Sequence, residues 1–176
     1  MKNKAIFLDR DGVLNQSVVR NGKPFPPNSL DTLVIPEGVH EALSSLRTAG
    51  FLLIGITNQP DVKRGKTSRE TVVKINQYLS THLNIDEFFV CFHDDIDNCE
   101  CRKPKPGLIQ QAASKYNIDT IKSFMIGDRW KDIDAGYLAK CQTILIDHNY
   151  LEKSPHNCPN FITNSLIDAA KWILSH

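Results

Sequence analysis

Two aspartates, Asp9 and Asp11, close the apolar run Ala5-Ile6-Phe7-Leu8 and are followed at once by Gly12. A short solid apolar run between polar flanks predicts a buried strand, and its length decides against a helix. Carboxylates two residues apart at a strand end point the same way, because strand side chains alternate between faces. Gly12 permits the chain to turn sharply behind them. Like charges this close repel when buried, so a metal ion, a neighbouring cation or a raised pKa must compensate. The alternative is a strand that simply runs into an acidic turn, and a motif this short has real false positives. The two differ in whether the remaining chain supplies what the pair lacks.

Further along, Asp128 follows the apolar segment Ser123-Phe124-Met125-Ile126 through Gly127, and Asp132 lies one helical turn beyond it. If the strand ends converge, Asp9, Asp11 and Asp128 make an oxygen-rich cluster suited to Mg²⁺. Asp132 would orient Asp128 or its waters; otherwise it is a first-turn acid favoured by the helix dipole. A carboxylate nucleophile suits phosphoryl transfer, being ionised at neutral pH without a base to activate it. Asp9 would take that role. Asp11 would be the general acid and then the base, with a pKa raised by the neighbouring carboxylates. Thr57 and the amides after it would hydrogen-bond phosphoryl oxygens; the alternative for Thr57-Asn58-Gln59 is an ordinary strand-to-loop turn.

A second constellation reads Cys91-Phe92-His93 and then Cys99-Glu100-Cys101. Soft ligands packed into so short a span fit tetrahedral Zn²⁺, and a site filled by protein ligands alone is structural. Buried thiols or a redox pair are the alternatives. Arg102 and Lys103 follow the last ligand directly, so a metal clip would fix their direction. A lysine suits a phosphoryl group as a point charge, and an arginine can clamp a second anionic or hydroxylated part of a ligand. A basic surface turn is the alternative, given Lys105. Cys141 and Cys158 are isolated and are expected to be packing residues.

Strands and helices alternate along the chain and would position these groups. Further strands are expected at Phe51–Ile56, Glu87–Phe92, Ser123–Ile126 and Thr143–Ile146. Helices are expected from Val39 to Gly50, from Thr67 to about His82 with a capping box from Thr67 to Glu70, over Leu108–Tyr116, through Ile133–Leu138, and over Ser165–Leu174. Residues 13–35 lack periodicity and carry Asn21-Gly22, Pro24, Pro26 and Pro27, so they read as an ordered loop or small flap. Solid apolar strands between helices predict an α/β fold, a Rossmann-like parallel sheet with helices on both faces. Ligands of such sheets bind at the carboxyl ends of the strands, where the candidate residues collect.

The chain has 176 residues, 41% hydrophobic and 23% charged, with a net charge of +1. These values suit one globular domain over 1–176 and give no electrostatic reason for a nucleic-acid or membrane partner. Met1-Lys2-Asn3-Lys4 leads straight into the first strand, so the reading expects no signal peptide, a cytoplasmic location and a monomer.

Taken together, Phe7-Leu8-Asp9-Arg10-Asp11-Gly12-Val13, Ile56-Thr57-Asn58-Gln59, Arg102-Lys103-Pro104 and Ile126-Gly127-Asp128-Arg129 resemble the motifs of the haloacid dehalogenase phosphatase superfamily. With the cysteine loop 91–101, they are similar to the branch acting on heptose 1,7-bisphosphate or histidinol phosphate. The resemblance implies Asp9 as nucleophile and Asp11 as acid/base. It implies Mg²⁺ on the Asp9 and Asp128 carboxylates and the Asp11 carbonyl. It implies Thr57 and Lys103 on the phosphoryl group, and Asn58, Arg102 and Arg129 on a small sugar-phosphate substrate. It implies no separate cap domain, the zinc loop and the flap of residues 16–27 shaping the pocket instead. The gap between His93 and Cys99 is nearer the histidinol-phosphate type. The cations Arg102, Arg129 and Lys23 favour a bisphosphate, because they would repel the cationic end of histidinol phosphate. A non-catalytic zinc-containing binding protein is the competing class.

Overall fold

The computed structural model describes residues 2–176. Its central sheet has six parallel strands. They are β1 (Lys4–Leu8), β4 (Phe51–Asn58), β5 (Glu87–Cys91), β6 (Phe124–Gly127), β7 (Gln142–Ile146) and β8 (Phe161–Thr163), in the order β5-β4-β1-β6-β7-β8. A separate antiparallel hairpin pairs β2 (Val18–Arg20) with β3 (Lys23–Phe25). The helices are α1 (Val39–Thr48), α2 (Arg69–Leu83), α3 (Gly107–Lys115), α4 (Trp130–Leu138) and α5 (Leu166–Ser175).

The apolar blocks are solid because the sheet is covered on both faces. Ile6 and Leu8 of β1 pack with Leu43 of α1, Leu79 of α2 and Ile173 of α5. Ala5 and Phe7, one residue out of phase, pack with Leu108 of α3 and Ala135 of α4. All four of these β1 residues are 0% exposed. Burying each larger side chain contributes about 1.5–3 kcal/mol, so β1 anchors both layers.

After β5 the chain crosses back over β4 and β1 to reach β6, which makes β1 the strand beside which the winding reverses. At such a point the loops leave the sheet in opposite directions and open a crevice at the carboxyl ends. Asp9 and Asp128 emerge there.

Three local expectations are corrected. Residues 13–35 contain the β2–β3 hairpin. Asn21 (φ 50°) and Gly22 (φ 71°) both take the left-handed backbone that a two-residue hairpin turn requires. The cap of α2 is Ser68, whose Oγ accepts from the Thr71 amide at 3.1 Å, one residue later than the expected capping box. Cys141 is buried, but Cys158 is exposed and so is not the packing residue expected. The sheet also holds β8, a three-residue strand at its edge that the sequence reading did not include. Among the described residues no helix is long and apolar enough to cross a membrane.

Candidate active site

Asp9 follows β1, and its amide donates to the Ile126 carbonyl at 2.9 Å, fixing the start of the loop against β6. Asp9, Asp128 and Asp132 are 7%, 4% and 1% exposed. One carboxylate oxygen from each lies within 4.8 Å of the others. Lys103 answers part of this charge: its Nζ donates to Asp9 Oδ1 at 2.7 Å and to the Ile56 carbonyl at 2.7 Å, and pairs with Asp132 Oδ1 at 2.6 Å. Burial disfavours the Lys103 ammonium, but Asp132 and Asp9 outweigh it and raise its pKa to about 12. Burial is also the main force on Asp9; with Asp132 and Asp11 it outweighs Lys103 and lifts the carboxyl to about 6. Burial, then Asp9 and Asp132, pushes Asp128 well above the ordinary carboxylate range.

One ammonium cannot neutralise three carboxylates. Both oxygens of Asp128 are buried and, among the described residues, make no hydrogen bond of ordinary geometry, although the Tyr150 hydroxyl lies close enough to favour the ionised carboxylate. A buried carboxylate so poorly bonded is costly, so an all-oxygen cluster with such a member fits a hard divalent cation. The backbone is cut to this cluster. A Cβ on Gly12, at φ +94°, would stand 1.9 Å from Asp128 Oδ2, and one on Gly127 would stand 2.1 Å from Asp132 Cβ.

Asp132 has a second bond that explains its position. Its Oδ2 accepts from the Arg129 amide at 3.0 Å, capping α4, while Oδ1 faces Lys103. It is therefore both the first-turn acid expected from sequence and a member of the carboxylate cluster.

Asp11 lies outside that cluster. Its carboxylate accepts from Arg10 Nε (3.1 Å) and Nη2 (2.9 Å), Asn15 Nδ2 (3.0 Å) and Gln59 Nε2 (2.8 Å). Arg10 is itself fully buried and donates to Asn76 Oδ1 at 3.0 Å. Where the sequence reading expected carboxylates around Asp11, the structure supplies a guanidinium and two amides. The expectation that the two carboxylates point the same way is corrected: β1 ends at Leu8, so Asp9 and Asp11 lie in the turn beyond it and have different surroundings.

Lys103 is held in place through its backbone. Asn58 Nδ2 donates to the Lys103 carbonyl at 3.0 Å, and the Lys103 amide donates to Asn58 Oδ1 at 3.1 Å. Thr57 is 1% exposed and its Oγ1 accepts from Gln59 at 2.9 Å. Arg102 is 8% exposed; its Nε donates to Asp95 at 2.8 Å and its Nη1 to the His93 carbonyl at 3.3 Å. Arg129 turns to Glu152 Oε2, at 3.0 Å from Nε and 2.6 Å from Nη2. Asp9, Asp11, Thr57, Asn58, Lys103 and Arg129 border a cavity of about 240 Å³ whose rim includes the β2–β3 hairpin. Arg102 is not among its lining residues.

The residues before Arg102 form the second cluster. Cys91 Sγ lies 3.7 Å from Cys99 Sγ and 3.2 Å from Cys101 Sγ, and Cys99 and Cys101 are 3.3 Å apart. His93 Nδ1 is 3.6 Å from Cys91 Sγ and 3.3 Å from Cys101 Sγ. In a tetrahedron with metal–sulfur bonds of about 2.3 Å, the edges are about 3.8 Å; these separations fall short of that by up to about 0.6 Å, so the four ligand atoms converge on one point and would spread slightly to admit an ion. All the cysteines are free thiols.

Gln59, Arg64, Lys131 and the Arg10–Asn76 pair were not among the sequence candidates. Gln59 was visible in the Thr57 segment, but its reach to Asp11 depends on β4 lying beside β1. Arg64 and Lys131 carry no local signal; only the fold brings them to the cavity.

This arrangement agrees with the comparisons. Residues 100–169 match the Hydrolase_like family model, described as HAD-hyrolase-like. The chain is 38% identical to the D-glycero-beta-D-manno-heptose-1,7-bisphosphate 7-phosphatase of Helicobacter pylori strain J99, over 97% of each chain. It is 33% identical to the enzyme of the same name from Pasteurella multocida strain Pm70, over 97% of this chain and 96% of that one. Among solved structures, the D,D-heptose 1,7-bisphosphate phosphatase of B. bronchiseptica, complexed with magnesium and phosphate, superposes with a TM-score of 0.80. It is 28% identical, over 98% of each chain. The fold and the relatives define a phosphatase of the haloacid dehalogenase class. Within that class the chain belongs to the family of D-glycero-beta-D-manno-heptose-1,7-bisphosphate 7-phosphatases.

Proposed function

We propose that the protein hydrolyses the 7-phosphate of D-glycero-β-D-manno-heptose 1,7-bisphosphate, or of a closely similar sugar bisphosphate, through an aspartyl phosphate on Asp9. The observation that carries this reading is the buried cluster of Asp9, Asp128 and Asp132, in which Asp128 makes no hydrogen bond of ordinary geometry, at the strand ends of a chain so similar to those enzymes.

An oxygen of Asp9 attacks phosphorus, and the bond from phosphorus to the sugar oxygen breaks. That oxygen leaves with a proton from Asp11. A water then gives a proton back to Asp11 as it attacks the same phosphorus, and the bond to Asp9 breaks to release phosphate. Lys103 keeps Asp9 oriented and takes up charge on the phosphoryl oxygens, and Thr57 donates to one of them. Asp9 and Asp128 with the Asp11 carbonyl would hold Mg²⁺; when bound, it offsets repulsion between the Asp9 carboxylate and the substrate dianion. Asp132 serves this set by holding Lys103. Asn58 sets the Lys103 backbone.

Cys91, His93, Cys99 and Cys101 would hold a structural Zn²⁺. Their thiolates require a reducing surrounding, which goes with a cytoplasmic location. One sheet carrying both clusters supports reading residues 1–176 as a single domain with a zinc-binding loop at 91–101.

The test is a side-by-side kcat/KM comparison of heptose 1,7-bisphosphate in both anomers, histidinol phosphate and simple sugar monophosphates. The bisphosphate is expected to lead by about tenfold or more, roughly 1.4 kcal/mol in transition-state binding. A tenfold preference for histidinol phosphate would overturn the substrate and leave the phosphatase chemistry. Absence of turnover on every ester would favour a zinc-containing binding protein.

A further inference from the structure

Between β7 and β8, residues 147–160 form neither helix nor strand, and the chemistry above uses none of them. Yet this segment is tied at several points to the elements that carry the carboxylates. His148 Nε2 stands 2.8 Å from the Gly12 carbonyl. A carbonyl only accepts, so His148 carries a proton on Nε2 and donates it there. The Leu151 amide donates to the Gly22 carbonyl at 2.8 Å, which ties in the hairpin. Glu152 accepts from Arg129, the residue after Asp128. Farther along α4, buried Asp134 accepts from the amides of His156 at 3.0 Å and Asn157 at 3.2 Å. The segment is a strap fastened across the end of the sheet.

Tyr150 lies in the middle of the strap. Just before it, Asp147 Oδ1 accepts from the Asn149 amide at 2.8 Å, and Asn149 takes the left-handed backbone at φ 56°. The rings of His148 and Tyr150 flank this turn with centroids 5.4 Å apart. Tyr150 and Asp128 line one cavity of about 300 Å³ beneath the strap. The Tyr150 hydroxyl lies beside both Asp128 and Ser17, and Ser17 in turn borders the cavity next to Asp9. A phenol is protonated at neutral pH and can donate. A donor at this place answers a specific need. A carboxylate that gives one oxygen to a metal ion is oriented by what bonds the rest of it. Lys103 serves Asp9 and Asp132. Asp128 has the Tyr150 hydroxyl beside it.

We propose that Tyr150 is a positioning residue for the metal cluster, its hydroxyl giving Asp128 the hydrogen bond that orients the carboxylate toward Mg²⁺. His148 and Glu152 serve it by pinning the strap to Gly12 and Arg129. The inference rests on reading Asp9, Asp128 and the Asp11 carbonyl as the Mg²⁺ site.

The experiment is calorimetric titration of Mg²⁺ into the metal-free full chain without substrate. Tyr150→Phe removes one hydroxyl and keeps the ring. It should raise the Kd for Mg²⁺ about tenfold, the lower end of what losing an outer partner of a metal ligand costs. His148→Ala loosens the strap one step further from the ion and should raise the Kd about threefold. Tyr137→Phe alters an exposed tyrosine of α4 and should leave the Kd within about twofold of the wild type. Turnover gives a second readout. Tyr150→Phe should need about tenfold more Mg²⁺ for half-maximal rate, with kcat at saturating Mg²⁺ within about twofold of the wild type. A merely structural role would lower the Tm of the metal-free protein and leave the Mg²⁺ requirement unchanged. That result would overturn the proposal, as would an equal rise in Kd for Tyr137→Phe. Asp128→Asn separates this inference from the reading beneath it. A Kd unchanged in both Asp128→Asn and Tyr150→Phe would remove the metal site together with its positioning residue. A Kd that rises in Asp128→Asn and stays unchanged in Tyr150→Phe would overturn the role of Tyr150 alone.

Discussion

The carboxylate cluster at Asp9 and the thiol cluster at Cys91 lie at the ends of strands in the same sheet, yet they are built in opposite ways. The carboxylates come from two separate strand ends and the first turn of a helix, and they are almost wholly buried. Asp9 and Asp132 share one lysine, and neither oxygen of Asp128 makes a hydrogen bond of ordinary geometry among the described residues. The thiols and His93 come from one span of eleven residues, and Cys99 and Cys101 are partly exposed. Four soft ligands from one loop close a site and leave nothing for substrate. Hard ligands from distant segments leave charge unanswered, so an ion and a phosphate can enter and change partners. The junction is Cys101-Arg102-Lys103: the last thiol is two residues from the ammonium that holds Asp9. The soft cluster thereby aims a residue of the hard one.

Breaking the hard cluster should have the largest effect. Asp9→Asn is expected to lower kcat by roughly a thousandfold or more, as loss of a nucleophile does, with the circular-dichroism spectrum of the wild type retained. Near-normal turnover would remove Asp9 from the chemistry.

Breaking the soft cluster should cost less and act at a distance. Elemental analysis of protein purified without added metal should find about one zinc per chain. Cys99→Ser should lose that zinc and lower kcat/KM by about 10- to 100-fold, the range for residues that orient functional groups without touching substrate. Full activity with no zinc would separate the two clusters.

The smallest effect sharpens the electrostatic difference. In metal-free protein the Asp9 carboxyl is raised to about 6 from an ordinary 3.8, chiefly by burial. The folded state then binds the proton more tightly than the unfolded chain. Stability from this group therefore falls as pH rises from about 4 through about 6 and is level above that. A divalent cation replaces that proton, so the rise in Tm on adding Mg²⁺ should be larger at about pH 7.5 than at about pH 5. The same increment at both values would contradict the charge account.

Much of the hard cluster was legible in the sequence, because Asp9 and Asp128 follow strands whose solid apolar blocks announce a covered parallel sheet. The soft cluster was legible from spacing alone, being local. What stayed hidden depends on register between distant segments. Lys131 and Arg64 reach the cavity only once the winding is known. The Arg10 fork that takes Asp11 needed Asn76 on α2 to hold its other end. The β2–β3 hairpin escaped because its strands are three residues long and one contains Pro24, although Asn21-Gly22 was the turn signal. β8 is as short and shows no apolar block.

The most direct measurement is acid quenching of the enzyme during turnover of heptose 1,7-bisphosphate with Mg²⁺, followed by mass spectrometry of the peptide containing Asp9. The expected result is one phosphoryl group on Asp9, accumulating further in Asp11→Asn protein and absent in Asp9→Asn. Phosphate release from the wild type and slowed release from Asp11→Asn, with no phosphoryl group ever found on Asp9, would contradict the account.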